Sequence, residues 1–214
     1  MKWIRPMLSD YPATTSDAEA MIRRSISQGD DIESICFVGE HFEDIACERL
    51  EFTGCRFERC RFSSLCVERL SFTDCAFAHC DLSSIRFARC GLVRVEMHDC
   101  RLTGADFIDS SLVYVLFSQC AMRYVAMNGC KWRCVRLEGC DLTHAALHNL
   151  QHTDALLSSC KLRQTQWLNT SLRGLDLSSC DLAQISISEG ALRGAIIGVD
   201  QLTELARIMG VQVR

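Results

Sequence analysis

The sequence predicts an all-β solenoid: a quadrilateral β-helix of about eight stacked coils with a helix capping each end. Three observations predict it. Large apolar residues recur every five positions, small ones recur two positions before them, and cysteine returns at every twentieth position.

Every fifth residue from Ile32 to Leu202 gives 35 positions, of which only His152 is not apolar. All ten phenylalanines fall among them, with Trp132 and Trp167. At 48% apolar composition the chance of such a register is on the order of one in 10^9. The position two residues earlier, from Ile35 to Ala195, is Ala, Val, Ile, Leu or Cys except at Glu40, Ser110, Thr165, Thr170 and Gly190. A period of five matches neither a helix nor a flat strand. It fits short extended segments joined by corners, each with two side chains pointing in and three pointing out. Gly39, Gly54, Gly104, Gly129, Gly139, Gly174 and Gly194 share the phase two residues after the large apolar position, where a recurring turn needs positive φ.

Cysteine sets the circuit. Cys60, Cys80, Cys100, Cys120, Cys140, Cys160 and Cys180 recur at every twentieth position, so four five-residue segments close one coil and equivalent side chains stack.

In chain order, residues 1–15 read as an irregular arm. Ser16-Asp17-Ala18-Glu19 reads as a capping box opening a helix that carries Ile22 and Ile26 and stops near Gly29. This gives an arm and cap over 1–31, a solenoid over 32–199 and a terminal helix with tail over 200–214. Asp200 is placed to cap that last helix, whose apolar stripe is Leu202, Leu205, Ala206, Ile208 and Met209, closed by Gly210. Open solenoid ends require such caps.

Composition narrows function. The net charge of −4 argues against nucleic-acid binding through bulk positive charge. No apolar run is long enough to cross a membrane, and the first residues lack a secretory signal, so a cytoplasmic protein is expected. The 15 cysteines then read as free buried thiols acting as small apolar side chains, with no CxxC pairing for zinc. Cys36, Cys66 and Cys134 fall on outward phases and are the expected reactive ones. His144, His148 and His152 have helical spacing for a metal, but the five-residue register sends them to different faces; His152, at an inward centre, marks a distortion or a satisfied imidazole. There is no phosphate loop, nucleophile elbow or GxGxxG. No enzyme, metal or cofactor is expected.

The motifs Cys-Arg-Phe, Cys-Asp-Leu-Ser-Ser, Ala-Asp-Phe and Ser-Leu-Arg-Gly-Leu-Asp-Leu resemble the pentapeptide-repeat family, whose consensus is A(D/N)LXX. The resemblance covers about four-fifths of the chain and implies a right-handed quadrilateral β-helix. Cys, Val or Ile in place of Ala, and Phe at the centre, look like the quinolone-resistance (Qnr) and microcin-immunity (McbG) branch. That branch implies binding to DNA gyrase or topoisomerase IV as a duplex mimic, protection from inhibitors such as quinolones, and a homodimer through Leu202, Leu205, Ala206, Ile208 and Met209. On that reading Glu96, Asp99, Asp106 and Asp109 lie along one side as a partner surface, with Tyr114 and Leu116 in an apolar patch beside Ile108, Val113 and Tyr124. The charges point the other way: 19 acidic and 17 basic residues between 36 and 199 give no acidic column like a duplex. The alternative is a structural or interaction rod, scaffold or effector, with an unrelated partner.

Overall fold

The computed structural model describes residues 3–10, 12–14, 17–208 and 210–211, and the side chains of all these except Cys66 and Glu68. Parallel ladders and bridges pair residues twenty positions apart, from Ile32↔Phe52 to Asp176↔Ile196, with a lapse between 151–158 and 171–178. Between those two ends the chain completes a little over eight coils. The architecture is the expected right-handed quadrilateral β-helix. Its four faces, 1 to 4 in winding order, are those of the segments centred on Phe72, Phe77, Leu82 and Phe87. Faces 1 and 2 carry the longer strands, such as Cys66–Ala78, Gly91–His98 and Ser111–Ser118. Faces 3 and 4 are joined mainly by single bridges between tight turns.

The corners explain the period. Two residues after most of the large apolar side chains the backbone is left-handed, at Gly104 and Gly129 (φ 70°), but also at Asp99, Asp109, Tyr114 and Tyr124. At the corners leaving faces 3 and 4 the next small residue commonly donates its N–H back across the corner, as Ala105 does to the Leu102 carbonyl at 3.0 Å and Ala145 to Leu142 at 2.8 Å. That is a type II turn, whose third residue requires positive φ. The seven glycines in that phase all adopt it.

The core is a set of vertical stacks. Phe37, Phe57 and Phe77 stack nearly parallel with centroids 5.1 and 4.5 Å apart, and meet the Phe52–Phe72 stack edge-on. Offset stacks and edge contacts are the favoured aromatic geometries.

Buried thiols add a second tie. Cys60, Cys80, Cys120, Cys140 and Cys160 each donate Sγ–H to the carbonyl 23 positions earlier, at 3.3–3.4 Å. Ser110 Oγ to Phe87 O (2.7 Å) and Thr170 Oγ1 to Leu147 O (2.7 Å) repeat that bond, so two of the polar exceptions obey the same rule. Thr165 Oγ1 instead donates to Leu162 O and accepts from Trp167 Nε1.

Both caps differ in detail from expectation. The first helix, α1, is Ala18–Gln28, and its N-cap is Asp17, whose carboxylate accepts from Ala20 N at 2.9 Å; Ser16 lies outside the described residues. Gly29 (φ 73°) ends it, and Ala18 and Ile22 are buried against the first coils. At the far end a 3-10 turn, Val199–Gln201, precedes α2, Leu202–Ile208. Asp200 therefore sits inside the turn, and the cap comes from Gln201: its Oε1 accepts from Gly198 N at 2.8 Å. Its Nε2 donates to Leu177 O at 2.8 Å and Cys180 O at 2.6 Å. One coil earlier, those two kinds of carbonyl receive Cys180 Sγ–H and Asp181 N–H. One buried amide thus stands in for the missing next coil.

The arm is ordered against the rod. Ala13–Thr14 pairs in parallel with Ile35–Cys36, and the chain before it runs extended along the edge between faces 1 and 2.

Candidate functional site: the surfaces of the rod

The expected acidic surface is divided. Glu96 belongs to the ladder of Ala76, Leu116 and Arg136 on face 2. Asp106 belongs to the ladder of Arg86 and Ala126 on face 4, the opposite face. Asp99 stands at the corner leaving face 2 and Asp109 at the corner leaving face 4. Asp106 and Asp109 are therefore neighbours on one edge, and Glu96 with Asp99 cannot share it. The reason is arithmetic: positions ten apart are half a circuit apart.

The carboxylates are also engaged nearby. Asp106 accepts Ile108 N–H at 2.8 Å and lies 3.9 Å from Arg86. On face 3 one column reads Arg61, Asp81, Arg101, Ala121, Asp141, Lys161, Asp181. Within it Arg101 lies 3.5 Å from Asp81 and Lys161 3.9 Å from Asp141, and Arg163 reaches Asp181 from the side. Such exposed pairs contribute little stability, but they neutralise the face.

The expected apolar patch is not a patch. Ile108 is on face 4, Val113 on face 1, Leu116 on face 2, and Tyr124 stands on the far corner stacked on His144 at 4.8 Å. Tyr114 is buried, 8% exposed, because the arm covers it. Trp3 meets its ring edge-on at 6.2 Å, and the Arg136 guanidinium lies 4.5 Å over Trp3. Further down, Arg5 faces Glu96 at 4.0 Å, Met7 N donates to Asp74 Oδ1 at 2.9 Å, and Arg56 Nη2 donates to Ser9 O at 3.1 Å. Asp74 also takes both prongs of Arg94 at 2.6 Å. Burial alone would raise the Asp74 carboxyl, but Arg94 and the Met7 N–H outweigh it and hold it below the usual carboxylate range. Nothing in the periodicity marks this arm; Trp3, the only tryptophan outside the five-residue register, is the one signal that could have found it.

The thiols offer little chemistry. None of the cysteines with described side chains forms a disulfide, and burial pushes Cys90 and Cys130 up to about 12. Cys120 and Cys140 are also pushed up to about 12, first by the thiol one coil earlier and then, in part, by burial. A thiol so raised stays protonated and unreactive at neutral pH. Cys36 is half-buried, but Cys134, expected to be outward, is buried at the arm-covered edge. Cys66 lies outside the described side chains. Among the described residues no group of three or more His, Cys, Asp or Glu is placed to hold a metal ion. His148 reaches Gln166 Oε1 at 3.1 Å. His152 pairs with Trp132 on one side, but among the described residues no bridge joins it to Leu172; its half-buried ring donates from Nε2 to Ser171 O at 2.6 Å instead, so the expected distortion and the satisfied imidazole occur together. No described helix is long and apolar enough to cross a membrane.

The C-terminal stripe is split in function. Leu205 is buried on its own chain, Ala206 and Ile208 are half-buried, and Leu202 is 53% exposed; Met209 lies outside the described residues. Leu202 and Val211 border a cleft with Leu192, Ala195 and Ile197.

Four-sided coils of five-residue segments, tied by stacked rings and thiol–carbonyl bonds, define a β-solenoid whose presented chemistry is surface rather than pocket. Two family profiles match the chain: a pentapeptide repeat region over residues 70–147, and an eight-copy pentapeptide-repeat profile over residues 153–188. The chain belongs to the pentapeptide-repeat family. Among solved structures, a trypsin-treated variant of QnrB1, a plasmid-mediated fluoroquinolone resistance protein, is 19% identical with a TM-score of 0.31, covering 86% of this chain and 99% of that one. HetL, a pentapeptide-repeat protein involved in heterocyst differentiation regulation from the cyanobacterium Nostoc, is 15% identical with a TM-score of 0.31, covering 83% and 96%. No curated protein sequence matches the chain.

Proposed function

We propose that this protein is a non-catalytic interaction rod whose partner is a type II topoisomerase, DNA gyrase or topoisomerase IV, which it shields from inhibitors such as quinolones. The observation that carries the reading is the long parallel stack from Ile32 to Ile196, with Asp106 and Asp109 together on one edge. A rigid rod of this kind binds by shape and a few placed charges rather than by net charge. The second reading, a scaffold or effector rod with another partner, is favoured by the paired charges of face 3. Titrating the protein into a supercoiling reaction of purified gyrase with a fluoroquinolone separates the two. Restored supercoiling, weakened by salt and by Asp106→Lys with Asp109→Lys, supports the first; no effect at large molar excess leaves the second.

The exposed Leu202, Val199 and Val211 beside the terminal cleft support a two-fold homodimer through this end. Leu202→Asp, rather than a change at the internally packed Leu205, is the variant expected to give a monomer by light scattering. A wild-type protein that is already monomeric at micromolar concentration refutes the dimer.

A further inference from the structure

The arm and the edge it covers have the form of a peptide seated in a groove. The groove floor is the column Arg56, Ala76, Glu96, Leu116 and Arg136 on face 2. Its wall is the corner column of Asp74, Arg94 and Tyr114. The arm advances about two residues per coil: Ser9 at Arg56, Met7 at Asp74, Arg5 at Glu96, Trp3 at Tyr114. An extended chain rises ~6.6 Å per two residues against a coil spacing of ~4.8 Å, so this pace suits a strand inclined by roughly 40° to the rod axis.

The fit is incomplete. Glu96 Oε1 and Arg56 Nε are both buried without a hydrogen-bond partner. Arg5 stops 4.0 Å short of the first, and the Ser9 carbonyl engages Arg56 at Nη2 instead of the second. Buried polar atoms left unpaired are costly, and a ligand that pairs them gains accordingly. Arg5 is 83% exposed, so its guanidinium is held loosely.

We propose that this groove is a binding site for an extended peptide, and that residues 3–9 occupy it as a displaceable ligand of the same chain. The fitting peptide carries an aromatic residue for the slot between Tyr114 and Arg136, a basic residue two positions on for Glu96, and an acidic residue four positions after that for Arg56. The tethered arm holds the site closed through its high local concentration, and a better-matched peptide displaces it.

The test uses the full chain. The probe is a fluorescein-labelled peptide of residues 3–12 bearing Ser9→Asp, read by fluorescence polarisation. Two variants weaken the arm without touching the groove: Trp3→Ala, and Met7→Pro, which deletes the N–H that Asp74 accepts. Unfolding curves matching wild type confirm that each keeps its coils. The expected result is at least tenfold tighter binding to either variant than to wild type. Binding should fall at least fivefold when Glu96→Gln or Arg136→Ala is added, or when the probe's own tryptophan becomes alanine. Failure of the probe to bind both weakened variants overturns the proposal. So does binding that ignores Glu96→Gln, Arg136→Ala and the probe's tryptophan.

Discussion

Gln201 closes the C-terminal end of the stack with one side chain, and its removal can be valued. Gln201→Ala deletes donors to Leu177 O and Cys180 O and the acceptor for Gly198 N. A buried group left unsatisfied costs about 1–3 kcal/mol. Three such groups at a rod end, where water reaches part of the void, fall at the low end of that range and give about 3 kcal/mol in all. Gln201→Met keeps the length and apolar stem but supplies no donor, so it should lose about 2 kcal/mol and isolate the hydrogen-bond contribution. Gln201→Glu places a carboxylate against two carbonyl oxygens and should be the worst of the three. In a solenoid each coil is stabilised mainly by its neighbours, so the loss should be greatest locally. Hydrogen exchange at Asp181 N, bonded to Cys160 O, should accelerate while Asp81 N, five coils earlier, does not. Urea unfolding gives the global value; at ~2–4 °C per kcal/mol the alanine variant should melt about 6–12 °C lower. A methionine variant that matches wild type in urea midpoint, with unchanged exchange at Asp181, would show that the amide is not the cap.

Packing and charge set three further expectations. Phe107→Asp should fail to fold or aggregate because it buries an unpaired carboxylate, whereas Asp106→Ser should cost less than about 1 kcal/mol, since serine can still accept the Ile108 N–H; equal melting temperatures for the pair would refute the register. Cys100, Cys120 and Cys140 should resist a thiol reagent in the folded protein and react on denaturation, and rapid native labelling followed by mass spectrometry would contradict their burial. Asp74→Asn should destabilise by about 1–3 kcal/mol at pH 7, because Arg94 loses its charged partner. The Asp74 carboxyl is held low in the folded state, so its contribution is full above the unfolded value of about 3.9 and fades as pH falls through the folded one. The gap between wild type and variant in urea midpoint should therefore narrow below about pH 4 and be constant above about pH 6.

The solenoid was legible because its determinants are local and repeated: a large side chain every five residues and a small one two before it name the inward positions. The positive φ of corner residues was legible only where glycine occupied them; Tyr114 and Asp109 adopt the same backbone under the compulsion of the ladder, against their own preference. Serine and threonine in the small column read as exceptions until the thiol–carbonyl bond gave Cys, Ser and Thr one shared role. The division of the acidic surface was present in the numbering, since Glu96 and Asp106 differ by half a circuit. The arm and Gln201 were not legible in the same way. Each acts through contacts made once, from Trp3 to Tyr114 across 111 positions and from Gln201 to carbonyls 21 and 24 positions back, and no period announces a single event.

The column of Arg61, Asp81, Arg101, Asp141, Lys161 and Asp181 bears on how the chain finds its count. Interchangeable rings and thiols make any coil an acceptable seat for any other, so a folding chain could loop out one circuit and still bury its core. Losing the Asp81 circuit would set Arg61 on Arg101, and losing the Lys161 circuit would set Asp141 on Asp181, like on like, where directly opposed equal charges are unfavourable. Each mismatch is worth only a fraction of a kcal/mol at the surface. Yet the competing stacks are nearly equal in everything else, so even a small bias at those two circuits favours the full count. The charges that add little to the finished rod thereby act as its page numbers while it is being assembled.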